Sequence, residues 1–160
     1  MTPNHHDLVA AAARSYVNAG AIARIHAGHS WEDTSWPTMI AGGAGGGLSY
    51  DTDRRGVNYR TRFAGPIVGA VTWAELADVV RRGVTDELAA DLAAAYRRYC
   101  NAMATTADGS KAADHDGSEL ATHDGSATDH LATMRRLELA VIDSGLAATP
   151  AQLDLFAIGA

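Results

Sequence analysis

Apolar residues recur three and four apart through HDLVAAAARSYVNAGAIARIHAG, where Leu8, Ala12, Tyr16, Ala19 and Ile22 fall at helical spacing. Thr2-Pro3 or Asn4 can supply the N-cap, and the spacing predicts one helix ending near Gly28. HSWEDTSWPTMI follows without a period, with Pro37 setting the chain extended. Trp31 and Trp36 in this loop either pack over the core or form a ligand platform. After Gly47 the period becomes two: Leu48 and Tyr50 lie on one strand, and Val57, Tyr59, Thr61 and Phe63 on the next. Asp53-Arg54-Arg55-Gly56 is the turn between them, with Gly56 available for a positive φ. Gly65-Pro66 ends the second strand, and IVGAV returns as a third. These segments predict a small antiparallel β-meander over about residues 48–71.

In TWAELADVVRRG, Thr72 and Glu75 are spaced as a capping box, Trp73, Leu76, Ala77 and Val80 form a buried stripe, and Gly83 is the C-cap. Thr85 then opens a longer helix whose Leu88, Leu92, Ala95 and Tyr99 pack on its predecessor. The pair reads either as a helix-turn-helix or as an αα-hairpin covering one face of the sheet. Residues 107–130 divide into three octads, ADGSKAAD, HDGSELAT and HDGSATDH, too polar to offset the entropy of ordering and so expected as a disordered linker. LATMRRLELAVIDSG reads as a last helix over 131–146, with Leu131, Met134, Leu137, Leu139 and Ile142 apolar and Gly145 as its cap. The expected fold class is α+β: a globular domain over 1–106, a linker over 107–130, a helix over 131–146 and a tail over 147–160.

Charge changes this picture more than hydrophobicity does. Residues 1–106 balance ten arginines against ten acidic residues, so the whole net charge of −6 lies in residues 107–160. That argues against a bulk polyanion binder, since phosphate affinity needs clustered positive charge. Locally, Arg54, Arg55, Arg60 and Arg62 place four cations on the expected hairpin, and Arg81, Arg82, Arg97 and Arg98 can assist; this is a candidate DNA-binding surface. Against it, Asp51, Asp53, Asp78 and Asp86 can neutralise these groups.

Other chemistry is sparse. AGGAGGG over 41–47 lacks the Lys-Ser/Thr of a phosphate loop and reads as a flexible joint. The octad aspartates with His115, His123 and His130 lack the convergence of a calcium loop, and His26 and His29 lack a third ligand. No metal, cofactor or catalytic grouping is expected, so the chain reads as a non-enzyme. Cys100, the single cysteine, lies in a helical context and is expected as a packed thiol. With no membrane-length apolar run and no basic leader, a cytoplasmic protein is expected.

The tail carries the sharpest signal. Gln152-Leu153-Asp154-Leu155-Phe156 contains the chain's only glutamine and one of its two phenylalanines. It resembles the linear motif that binds the bacterial DNA polymerase III sliding clamp (β clamp), consensus Gln-Leu-Ser/Asp-Leu-Phe, at all five positions. The resemblance implies that the Gln152 amide anchors one subsite, that Leu155 and Phe156 fill a preformed apolar pocket, and that Leu153 and Asp154 set the register. It thus implies a small replication- or repair-associated interaction protein, or a phage- or plasmid-borne modulator of the clamp. It covers five residues and leaves the body unexplained. The competing expectation is a short helix opened by Thr149-Pro150-Ala151-Gln152, which folds Leu153 and Phe156 onto the core and leaves Leu155 pointing away.

Overall fold

The computed structural model describes residues 3–31, 49–116 and 126–148, and the side chains of all of these except 49 and 106–116. Five α-helices and one three-stranded antiparallel sheet make an α+β fold: α1 (His5–Tyr16), α2 (Ala19–His26), β1 (Ser49–Thr52), β2 (Gly56–Arg60), β3 (Ile67–Thr72), α3 (Trp73–Gly83), α4 (Asp86–Asp116) and α5 (Ala127–Ala147). The strand order is β1-β2-β3, as a meander requires.

The first helical stretch is two helices. Asn4 caps α1 by accepting the N–H of Asp7, and Asn18 caps α2 by accepting that of Ala21. Asn18 sits in extended backbone with φ −133° and ψ 174°, so the chain changes direction there although its apolar spacing continues.

The meander also differs at its second turn. β2 ends at Arg60, where its pairing with β3 is irregular, and residues 61–66 form the connection, with Ala64 at φ 58° and Gly65 N–H donating to the Arg62 carbonyl. Phe63, expected on the strand, is therefore 93% exposed. Gly56 has another purpose than the one expected. Its φ is not positive; instead, a Cβ there would lie 1.9 Å from the Val71 carbonyl oxygen, so only glycine lets β2 start against β3.

Val57, Tyr59 and Val71 face inward from the sheet, and α1 and α3 cover them. The Tyr59 hydroxyl donates to the Leu8 carbonyl at 2.7 Å, which ties the sheet to α1. The capping box at Thr72 and Glu75 starts α3 directly from β3, as the spacing predicts. Beyond α3 lies α5, and α4 packs along α5 and on α2. The stripe of Leu92 and Ala95 is thus buried against α5 and α2, not chiefly against the preceding α3. Among the described residues no helix is long and apolar enough to cross a membrane.

α5 begins at a capping box made by Ser126 and Asp129, so it takes in the last four residues of the third octad, while α4 continues through Asp116. The remaining octad residues, 117–125, lie outside the described residues, as do Trp36, the 41–47 glycines and the tail.

Neither Gly83 nor Gly145 is a cap. Gly83 is the last residue of α3, and a Cβ on it would meet the Val141 carbonyl oxygen at 1.8 Å; one on Gly145, within α5, would meet that of Val79 at 1.9 Å. The two helices cross backbone against backbone through this pair. Gly83→Ala or Gly145→Ala should destabilise the protein by about 1–3 kcal/mol in urea unfolding, overpacking outweighing the gain in helix propensity. Gly20→Ala, at an exposed position of α2 where the nearest atom is a side-chain oxygen at 3.3 Å, should be close to neutral.

Candidate functional site

The hairpin arginines are arranged by one aspartate. Asp53 Oδ1 accepts the backbone N–H groups of Arg55 (2.7 Å) and Gly56 (2.8 Å), and Oδ2 accepts from the Asn58 amide at 3.1 Å. Its carbonyl accepts the Trp73 indole N–H at 3.0 Å, which fastens the turn to α3. Arg54 and Arg55 consequently stand exposed at the β1–β2 turn. Arg60 ends β2 and Arg62 follows it in the connection to β3, so the strand's length, roughly 15 Å, separates them from the turn pair. The structure therefore brings the four together as two pairs, not as one patch.

Arg60 is committed further, to the Asp51 carboxylate and the Gly65 carbonyl. Among the assisting arginines, Arg81 pairs with Asp78 at 2.8 Å and Arg82 donates to the Gly145 carbonyl at 3.3 Å. Asp86 pairs with His26 at 3.0 Å. Arg97 and Arg98 are exposed on α4.

Behind the sheet runs a chain of aromatic rings that periodicity alone did not connect. Tyr59, Tyr50, Tyr16 and Trp73 meet edge to face in succession, with centroids 4.8–6.1 Å apart, and Trp31 stacks on Trp73 at 5.3 Å with planes 5° apart. Trp31, 3% exposed, thus packs over the core, the first of its two expected roles. Burial pushes the phenols of Tyr59 and Tyr16 up, and the neighbouring Tyr50 adds to this, so the cluster holds neutral rings and serves packing.

Two charged side chains at the α1–α2 break set the position of α2. Glu138 of α5, 7% exposed, accepts the Ala19 N–H at 3.0 Å, the first donor of α2. Arg135, one turn earlier, donates to Glu138 at 3.0 Å, to the Val17 carbonyl at 3.4 Å and to the Arg14 carbonyl. A carboxylate thus meets the N-terminus of α2 and a guanidinium the C-terminus of α1, each matching the local helix dipole.

Held this way, α2 lies beside α4 and encloses with it a groove of about 430 Å³. Its buried floor is Ala19, Ile22 and Leu92; more exposed alanines of both helices and Arg24, Tyr96 and Arg97 line its rim. The alanines leave the depth. Tyr96 is 53% exposed, and Cys100 one turn on is exposed as well, against the expectation of a packed thiol. The reason is angular: Leu92, Ala95 and Tyr99 take the inner face of α4, and Cys100 is turned about 100° past Tyr99.

The proposed motif residues Gln152, Leu153, Asp154, Leu155 and Phe156 lie outside the described residues. Among the described residues no three His, Cys, Asp or Glu side chains group as a metal site. Comparison with known protein families, with characterised proteins and with solved structures finds no match to this chain.

Glu138→Ala should cost about 2–4 kcal/mol in urea unfolding, because it strands the Ala19 N–H and the Arg135 guanidinium; Glu138→Gln, which keeps an acceptor, should cost less. Two carboxyls, exposed Asp53 and half-buried Glu75, contribute to the acid limb. The N–H groups of Arg55 and then Gly56 hold Asp53 below its ordinary 3.8. Burial raises Glu75, but the Thr72 N–H, the His5 ring and the Thr72 hydroxyl outweigh it and leave Glu75 below 4.5. The fold thus favours both ionised forms, so their support is full above these ordinary values and is lost as pH falls through the lower folded ones. Unfolding curves taken from about pH 6 down to about pH 2.5 should show that loss, and Asp53→Asn with Glu75→Gln should flatten it.

Proposed function

We propose that the chain is an interaction protein that binds the bacterial replicative sliding clamp through Gln152, Leu153, Asp154, Leu155 and Phe156, with the α+β body as the partner delivered to, or set against, the clamp. The observation that carries the reading is the five-position match of this segment to the clamp-binding consensus.

The chemistry suits a groove-docking peptide. Leu155 and Phe156 provide apolar anchors, and the amide of Gln152 supplies the directional contact that two hydrophobic side chains lack. A peptide of this kind binds in the micromolar range, about 8 kcal/mol, and while bound it excludes polymerases that use the same pocket.

The DNA-binding alternative has less to support it. Its arginines stand at opposite ends of β2, and Arg60 is engaged by Asp51 and the Gly65 carbonyl.

Titration of the protein into a bacterial sliding clamp, followed by calorimetry, should give a one-site isotherm with micromolar affinity. The double substitution Leu155→Ala, Phe156→Ala should abolish it while leaving the far-ultraviolet circular dichroism unchanged. Undiminished affinity in the double variant would exclude the motif.

A further inference from the structure

We infer that the groove between α2 and α4 is a docking site for the chain's own residues 152–156, so that the body competes with the sliding clamp for the motif. The inference rests on the proposed function for the meaning of that competition, but the groove and its occupant are argued independently of it.

Three observations select this occupant. The first is where the described chain stops. The last turns of α5 lie on the end of α3, where Gly83 packs against Val141 and Gly145 and Arg82 donates to the Gly145 carbonyl. α4 begins at Asp86, three residues after Gly83, so the start of α4, where the groove begins at Ala89, lies near the last turns of α5.

The second is length. From Ala148 to Phe156 the chain can extend about 26–29 Å, whereas the groove runs along α4 only from Ala89 to Arg97, roughly 12 Å. The segment is thus longer than the groove it would occupy.

The third is chemistry. Leu153, Leu155 and Phe156 match the apolar floor, and Asp154, the one charged residue beyond Asp143, matches a rim that carries Arg24 and Arg97. A volume of about 430 Å³ is in the range of sites that hold small ligands, enough for a pair of such side chains. Because the segment is tethered, its effective concentration at the groove is of millimolar order, and a contact too weak to matter between separate molecules suffices.

The two phenylalanines of the chain provide the readout. With fluorinated phenylalanine incorporated in the full chain, fluorine NMR should show two resonances. Phe63, 93% exposed, gives the solvent position. Phe156 should be displaced from it. Ala93→Trp, which fills the groove, and Arg97→Glu, which reverses the rim charge on an exposed position, should each return Phe156 to the solvent position without moving Phe63. Arg97→Glu keeps the test valid should the tryptophan perturb folding. In the same variants the affinity for the clamp should rise about tenfold, given a groove affinity on the order of 0.1 mM.

A Phe156 resonance already at the solvent position overturns the inference, as does one that neither variant moves. A displacement that grows with protein concentration also overturns it, by assigning the groove to a second copy. If the clamp fails to bind even the free peptide of residues 149–160, the functional reading falls, while the fluorine spectra still decide the occupant of the groove.

Discussion

Arg135 and Glu138 stand at the point where the N-terminal third of the chain divides, and much of the architecture follows from how they act there. One helix of the apolar spacing seen in residues 5–26 would lie along a single direction. Broken at Val17 and Asn18, it becomes α1, which covers the sheet, and α2, which reaches across to α4. The break exposes backbone groups in the interior, and buried groups of that kind must be paired. Glu138 takes the first N–H of α2, and Arg135 takes the carbonyls that end α1. Each side chain is buried or half-buried beside the other, so the charge that would penalise burial is matched within the same turn of α5.

A second constraint acts two turns further along α5. There the glycines at 83 and 145 let α3 and α5 approach until carbonyl oxygens sit where Cβ atoms would otherwise be. The Arg135–Glu138 pair and the glycine crossing act on the same helix at two levels, one electrostatic and directional, the other steric. α5 thereby touches all four other helices, holding α3 through the glycine crossing and α2 through Glu138, with α4 packed along it. The aromatic chain from Tyr59 to Trp31 then fills the space behind the sheet, and the Trp73 indole, bonded to the Asp53 carbonyl, carries the position of α3 out to the hairpin turn.

The functional surfaces inherit this geometry. The groove exists because α2 is displaced from the line of α1, and its floor is deep because α2 and α4 contribute alanines where larger residues would have met. The tail that carries the proposed motif follows α5, the same helix that holds α2 in place. Under the proposed reading, a groove with an apolar floor and a cationic rim makes access of the clamp to that tail conditional. The hairpin arginines have no comparable convergence, since the strand that displays them also separates them.

Local signals read well in the residues themselves. Thr72 with Glu75, the alternation through Val57 and Tyr59, and the turn at Asp53 each depend on neighbours within a few positions, so spacing was enough to place α3 and the meander and to indicate an α+β class. Asn18 carried a legible capping signal, obscured by an apolar period that runs on through it. Long-range contacts were not legible. Gly83 and Gly145 look like helix stops until the opposing backbone is seen, Gly56 looks like a turn residue until Val71 is placed beside it, and Glu138 looks like a surface charge on α5 until Ala19 arrives from 119 residues away. What the sequence determined by itself was the α+β class, the meander and the start of α3, because these are written in short spacings. Which helix α4 packs against, where a groove opens and which charges are buried were decided only by the tertiary structure, because each depends on atoms brought together from distant parts of the chain, and no local spacing encodes their meeting.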